Sequence, residues 1–412
     1  MKKIKLFEIL TLLVVFTFFG LLVSGRILYQ INYGSDDQRD VFDWEKSYPY
    51  TKKIEEIRTD IGSDTDESSS FIVRILNTFN GLGDEFVSLM PGQDEISRIG
   101  FVINSFLSDP SYSSNYIRLN NGHWTKKEYP ADKAQLNNVA DKYLSLQNYL
   151  YQNDIGFLYV QTPVKECRYD DELPYGIKSY ANRNIDLFIE LLKEKDISHL
   201  DLRDTLHEEG LDHYSMFYMS DHHWNVGASF WASEKIKEEL SLNNSDTTFK
   251  TKEYPGAMFG SYGRAVTHVI ADAEDFSVLV PESDTQFEIR VVEKGIDETG
   301  SFEEVFIDED GLIEMMNNGG DFAYEMIAYG NKALIEISNL KNTDEPKILM
   351  IRDSFSIGVA PYLALSCSNL ALIDTRADQG NFTGSIINYI DNYEPDIVIV
   401  LQSIPQDLKL NK

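Results

Sequence analysis

A serine, two histidines and an aspartate in this chain have types and spacings suited to acyl transfer. Asp221, His222 and His223 lie in Ser220-Asp221-His222-His223-Trp224-Asn225, and Ser354 follows about 130 residues later in Arg352-Asp353-Ser354-Phe355-Ser356. A hydroxyl is a poor nucleophile until a base takes its proton, and an imidazole base needs a carboxylate to hold its tautomer. A spacing of two in an extended or turning segment brings side chains to one side, which suits Asp221 and His223. Plainer roles compete. Serine and aspartate at a strand end can cap the next helix, and paired histidines can do the same or lie on the surface. A metal hydrolase is a further reading, because His207, His213, Asp221, His222 and His223 fall within seventeen positions. None of the strong zinc spacings, such as His-Glu-x-x-His, accompanies them.

These side chains need elements to bring them together. Leu136, Val139, Ala140, Tyr143, Leu146 and Leu150 recur at intervals of three and four, the stripe of an amphipathic helix. Phe157-Leu158-Tyr159-Val160 reads as a strand, Ile185, Phe188, Ile189 and Leu192 as a helix, and Leu200-Asp201-Leu202 as a short strand. Ala228, Trp231, Ala232, Ile236 and Leu240 mark a helix directly after the histidine turn. Strands alternating with helices predict an α/β fold with a doubly wound parallel sheet. The alternation breaks at about 250–345, where β-like runs such as 276–280 and 287–292 predict an inserted β-rich segment. It resumes with strands at 348–351, 370–373 and 397–401. Ser354 then stands just beyond a strand end, where open α/β sheets display functional groups.

Asp-x-His-Trp followed by Asn-x-Gly-Ala, and then a strand ending in Asp-Ser-Phe, resembles the DHHW and alginate O-acetylation (AlgX/AlgJ-like) proteins. These are extracytoplasmic members of the SGNH/GDSL hydrolase superfamily in which the Asp-x-His element precedes the serine. The order Asp221, His223, Ser354 matches, and the resemblance spans roughly residues 120–405. It implies an SGNH-like fold and a triad in which His223, directly before Trp224, is the base, Asp221 its partner and Ser354 the nucleophile. It also implies O-acetyl transfer to a cell-surface polysaccharide, with acetyl relayed by a membrane-bound O-acyltransferase. A carbohydrate esterase, or a non-catalytic polysaccharide-binding module on the same fold, is the alternative. Arg376, after the next strand, stands where relatives carry an arginine facing the site. Tyr362, and Arg264 in Gly260-Ser261-Tyr262-Gly263-Arg264, are further substrate-binding candidates. Asp353 reads as structural, because Asp221 already fills the orienting role. Arg352 departs from the family, which usually has a small residue there. No metal and no organic cofactor is expected.

Composition bounds the partners. The 412 residues carry 37 Lys and Arg against 67 Asp and Glu, a formal charge of −30. Such a polyanion repels phosphate backbones, so nucleic acid is not expected as a partner. Lys2, Lys3 and Lys5 precede an apolar run at 9–23, which continues weakly through Ile27-Leu28-Tyr29. Lysines on the near side of an apolar segment predict a cytoplasmic N-terminus and an exported body. Residues 1–32 are therefore expected to be an uncleaved single-pass anchor, with a cleaved signal segment as the rival. Residues 33–120 read as an acidic stalk and N-terminal extension, and 121–412 as the SGNH hydrolase-like domain. Cys167 and Cys367, the only cysteines, could form one disulfide or remain buried thiols.

Overall fold

The computed structural model describes residues 116–412 apart from 175–176, 244–246, 267–272, 319, 377–381, 409 and 411–412, and describes 264–266 by backbone only. The elements run β1 (Tyr116–Arg118), β2 (Trp124–Lys126), α1 (Lys133–Gln152), β3 (Gly156–Gln161), α2 (Ala181–Glu194), β4 (His199–Asp201) and α3 (Leu202–Glu208). There follow α4 (Val226–Leu240), β5 (Phe249–Met258), α5 (Ser261–Val266), β6 (Glu274–Pro281), β7 (Phe287–Val291), β8 (Ile296–Gly300), α6 (Phe302–Phe306) and α7 (Glu309–Asn317). The chain closes with β9 (Leu334–Asn339), β10 (Lys347–Arg352), α8 (Ser356–Leu363), β11 (Asn369–Asp374), α9 (Ile386–Tyr393) and β12 (Ile397–Gln402).

Eight strands form one mixed sheet in the order β4-β3-β12-β10-β11-β9-β7-β8. The first five run parallel, and β9, β7 and β8 extend the sheet antiparallel beyond β11. The wholly parallel sheet expected from the alternation is thus corrected at one edge. The reason lies in the 250–345 stretch, three of whose strands join the main sheet, while β5 and β6 pair separately. The antiparallel strand β7 alternates buried and exposed residues, as a strand with one wet face must.

The parallel strands β3, β10, β11 and β12 are apolar on both faces, and their period of two sorts the core into two layers. Phe157 and Tyr159 of β3, Leu349 and Ile351 of β10, and Val398 and Val400 of β12 pack with α1, α2 and α9. Leu158 and Val160, Ile348 and Met350, and Ile399 and Leu401 pack with α4 and α8 on the other side. Each such side chain, once buried, contributes on the order of 1.5–3 kcal/mol relative to exposure. The expected stripe of α1 faces inward as Leu136, Ala140, Tyr143, Leu146 and Leu150. Helices on both faces leave the strands' carboxyl ends open along one rim. Residues 162–166, Ser354, Arg376 and Ser403 all follow these ends.

Among the described residues no helix is long and apolar enough to cross a membrane. The apolar run at 9–23 and the expected stalk and extension as far as residue 115 lie outside the described residues. Cys167 and Cys367 are both free, and buried Cys367 donates its thiol to the Leu363 carbonyl at 3.5 Å.

Candidate active site

Two turns meet at the rim. The first carries Asp221, His222 and His223 between Phe217 and Trp224, whose backbones form an antiparallel bridge. Asn225, not a histidine, caps α4: its side chain accepts the Ala228 N–H at 2.9 Å. The second turn links β10 to α8 and carries Ser354. Asp353 fixes it, accepting the Phe355 N–H at 2.9 Å on one oxygen and the Ser403 N–H and hydroxyl, each at 2.7 Å, on the other. Trp224 ties the two turns directly. Its indole N–H donates to the Phe355 carbonyl at 3.0 Å and to the Tyr324 hydroxyl at 3.1 Å. The tryptophan beside the histidine therefore has a mechanical reason: it holds the residue after His223 to the residue after Ser354.

The three candidates then form one hydrogen-bonded line. His223 Nε2 lies 2.7 Å from Ser354 Oγ, and His223 Nδ1 lies 2.5 Å from Asp221 Oδ1. With Nδ1 donating to the carboxylate, Nε2 is free to accept the serine proton, the arrangement general-base catalysis requires. Asp221 is fully enclosed, and His223 and Ser354 are 1% and 5% exposed. Burial by itself pushes the Asp221 carboxyl up. The His222 and His223 imidazoles and the hydrogen bonds from His223 outweigh it and hold the group well below the usual carboxylate range. An ionised Asp221 can stabilise an imidazolium at His223 as it forms.

His222 lies beside this line. Its ring stacks obliquely on His223, and its Nδ1 is 3.0 Å from the Ser261 hydroxyl. Burial first, and then the charge of His223, lower the His222 imidazole, although 34% of its side chain remains exposed, so the burial part is modest. Asp221, His222 and His223 also present donor atoms within 4.8 Å of one another. A cation there would compete for oxygens that already accept two hydrogen bonds each, from His223 and from Ser261, and for the Nε2 that faces Ser354. His207 and His213 stand apart from this group: the first stacks on Tyr169 at 3.6 Å, and the second donates to the Val164 carbonyl at 3.0 Å.

The remaining sequence candidates have other placements. Arg376 forms a two-pronged pair with Asp374, at 3.0 and 2.7 Å, and also donates to Asn331. Tyr362, on α8, is enclosed in the hydrophobic core. It is 1% exposed, packed against Phe230 and Phe302, and accepts the Leu279 N–H at 3.1 Å. Arg264 falls in α5, and its side chain lies outside the described structure. Arg352, the departure from the family pattern, is fully buried and donates to Asn331 and to the Gly330 and Lys332 carbonyls. It braces the loop before β9. The N–H groups after Ser354 are also committed, those of Phe355, Ser356 and Ile357 within the turn and that of Gly358 to Tyr324. An oxyanion is therefore not met by those four as they stand.

Several contributors escaped the sequence reading. Ser261 donates its N–H and hydroxyl to Asp221 Oδ2 at 2.6 and 2.7 Å, fixing the carboxylate's second oxygen. Gly260 permits this approach, since a Cβ there would lie 2.3 Å from Asp221 Cβ. Tyr324 stacks beneath His223 with centroids 4.5 Å apart. The only signal for the first two was Gly260-Ser261-Tyr262-Gly263, which reads equally as a turn. Beside His222 and Phe355 opens a cleft of roughly 620 Å³ including its mouth, lined also by Tyr262, Glu128, Glu166 and Asn184.

Residues 123–304 match the family model described as the SGNH hydrolase-like domain of the acetyltransferase AlgX. The matched span includes Asp221 and His223 and stops before Ser354. Among solved structures, Bacillus cereus PatB1 with a sulfonyl adduct superposes with a TM-score of 0.55 at 16% identity, covering 69% of this chain and 94% of that one. A DHHW family protein from Eubacterium siraeum gives 0.53 at 17% identity, covering 68% and 88%. At such identities the likeness is one of fold. No curated protein sequence matches the chain. The resemblance read from the motifs thus holds at the level of the family.

Proposed function

We propose that this chain, an AlgX-type SGNH hydrolase-like domain over residues 123–304, is an extracytoplasmic serine-dependent O-acetyltransferase acting on a cell-surface polysaccharide. The observation that carries the proposal is the buried line from Asp221 through His223 to Ser354, with contacts of 2.5 and 2.7 Å. Ser354 Oγ attacks the carbonyl carbon of an acetyl ester while its proton passes to His223 Nε2. The donor's oxygen leaves with that proton, and Ser354 is left acetylated. A sugar hydroxyl next gives its proton to His223 and takes the acetyl carbon, and Ser354 Oγ leaves and recovers the proton. Asp221 stays ionised throughout and stabilises each imidazolium.

The adjoining cleft suits a sugar ring. Tyr262, Phe355 and Ile404 offer apolar faces, and Asn184, Thr125 and Glu128 offer partners for hydroxyl groups. In this reading the apolar run at 9–23, with lysines before it, anchors the body outside the cytoplasm, and a membrane-bound O-acyltransferase supplies acetyl. Both points rest on the sequence and its resemblance. The test is to incubate the full chain with an acetyl-ester donor and polysaccharide fragments, measuring ester-linked acetyl on the sugar and free acetate, alongside Ser354→Ala. Serine-dependent acetylation of the sugar is expected. Free acetate alone would make the chain a carbohydrate esterase, and fragment binding with no turnover would make it a binding module.

A further inference from the structure

Two ions of opposite sign grip the turn that carries Asp221 and His223, and the serine mechanism uses neither. Lys165, four residues beyond the end of β3, is 3% exposed. Its ammonium donates to the Asp221 carbonyl at 2.8 Å and to the Tyr218 carbonyl, and lies over the Phe217 ring. From the other side, Glu274 at the start of β6 accepts the Met219 N–H at 2.6 Å, the Ser220 N–H at 2.7 Å and the Ser220 hydroxyl at 2.6 Å. Lysine is rarely buried unless paired, and hydrogen bonds from an ionised donor are the strong ones. Here both ions hold the main chain of the same four residues, the cation by its carbonyls and the anion by its amides. We propose that Lys165 is a positioning residue for acyl transfer, its ammonium working against the Glu274 carboxylate to set the turn so that His223 reaches Ser354. This rests on the serine reading above.

A clamp of this kind weakens when the lysine loses its proton. The groups that face Lys165 are Asp221 and Glu274, which favour its charge, and His123, His213 and His222. Burial, the largest influence, pulls the amine from 10.5 down to about 7. The ammonium is thus present below that value and lost above it, which should place a falling limb on the pH profile near neutrality. A guanidinium would keep its charge far beyond this range.

The experiment follows acetyl-ester turnover across pH in the full chain and in Lys165→Met, Lys165→Arg and Glu274→Gln, with Ser354 labelling by a sulfonyl fluoride. Thermal unfolding of each variant is recorded in parallel. Lys165→Met should lower kcat by roughly a hundredfold with KM little changed, as expected when orientation and not binding is lost. Lys165→Arg, whatever its amplitude, should lose the parent's falling limb near neutrality. Glu274→Gln should lower kcat by about tenfold. An unlabelled, inactive parent would reject the serine reading itself. A labelled, active parent whose falling limb persists in Lys165→Arg, or whose kcat survives Glu274→Gln, would reject the clamp. Should Lys165→Met not fold, those two outcomes decide.

Discussion

At the scale of single residues, the candidate triad is a line of three groups that share one proton path. Ser354→Ala or His223→Ala should each cost on the order of 10⁴ in rate, and the double variant little beyond that, because either loss already breaks the path. Asp221→Asn should be severe but milder, and His222→Ala tolerated by comparison. If His222→Ala were the inactive one, the base would be misassigned. Glu166 tests the electrostatics of the cleft separately. Burial raises its carboxyl from 4.5 to about 7, so within that window the folded protein holds a proton that the unfolded chain releases. Its favourable contribution is present at the acid end and is lost as pH rises through the window. Glu166→Gln should therefore match the parent in thermal stability at the acid end and exceed it by several degrees above the window. Equal shifts at both ends would contradict this. The convergence of Asp221, His223 and Ser354 was legible in the sequence because each sits in a short motif whose candidate chemistry is local. Ser261, Lys165 and Glu274 were not, because they act on the Asp221 turn from 40 to 56 residues away. The burial of Tyr362 was not legible either: a tyrosine six residues past the turn's Ser356 looks the same in sequence whether its ring faces the rim or, as here, the core.

At the scale of elements, the runs at 348–351, 370–373 and 397–401 were readable because strands buried on both faces are continuously apolar. The antiparallel edge was not. β7 and β9 alternate, and alternation identifies a half-buried strand without naming its neighbour in the sheet. The two helices on the Trp224 side meet at a close contact, where a Cβ on Gly358 of α8 would lie 2.3 Å from Ser229 Oγ and 2.7 Å from Ser229 Cβ of α4. Gly358→Ala should therefore destabilise the protein by about 1–3 kcal/mol, the usual cost of overpacking. Ser229→Gly in the same chain should recover most of that loss, since the obstructing atoms are removed. Denaturant unfolding of the two single variants and the pair measures it, and strictly additive effects would show that the contact does not govern the α4–α8 packing.

At the scale of the whole molecule, a charge of −30 fits a protein that works in solvent, and a largely apolar cleft with a few hydrogen-bonding side chains fits the faces and hydroxyls of a sugar. The proposed anchor adds a topology. Protease added to intact cells should release nearly the entire body, whereas mature chain beginning near Arg26 in the medium would mark a cleaved signal segment instead. The triad makes the sharpest demand on the intact chain. Exposed to an acetyl-ester donor without acceptor, and quenched and mapped by peptide mass spectrometry, the protein should carry one acetyl group, on Ser354, and should carry none in His223→Ala. Acetyl on another residue, or undiminished turnover in Ser354→Ala, would contradict acyl transfer through this serine.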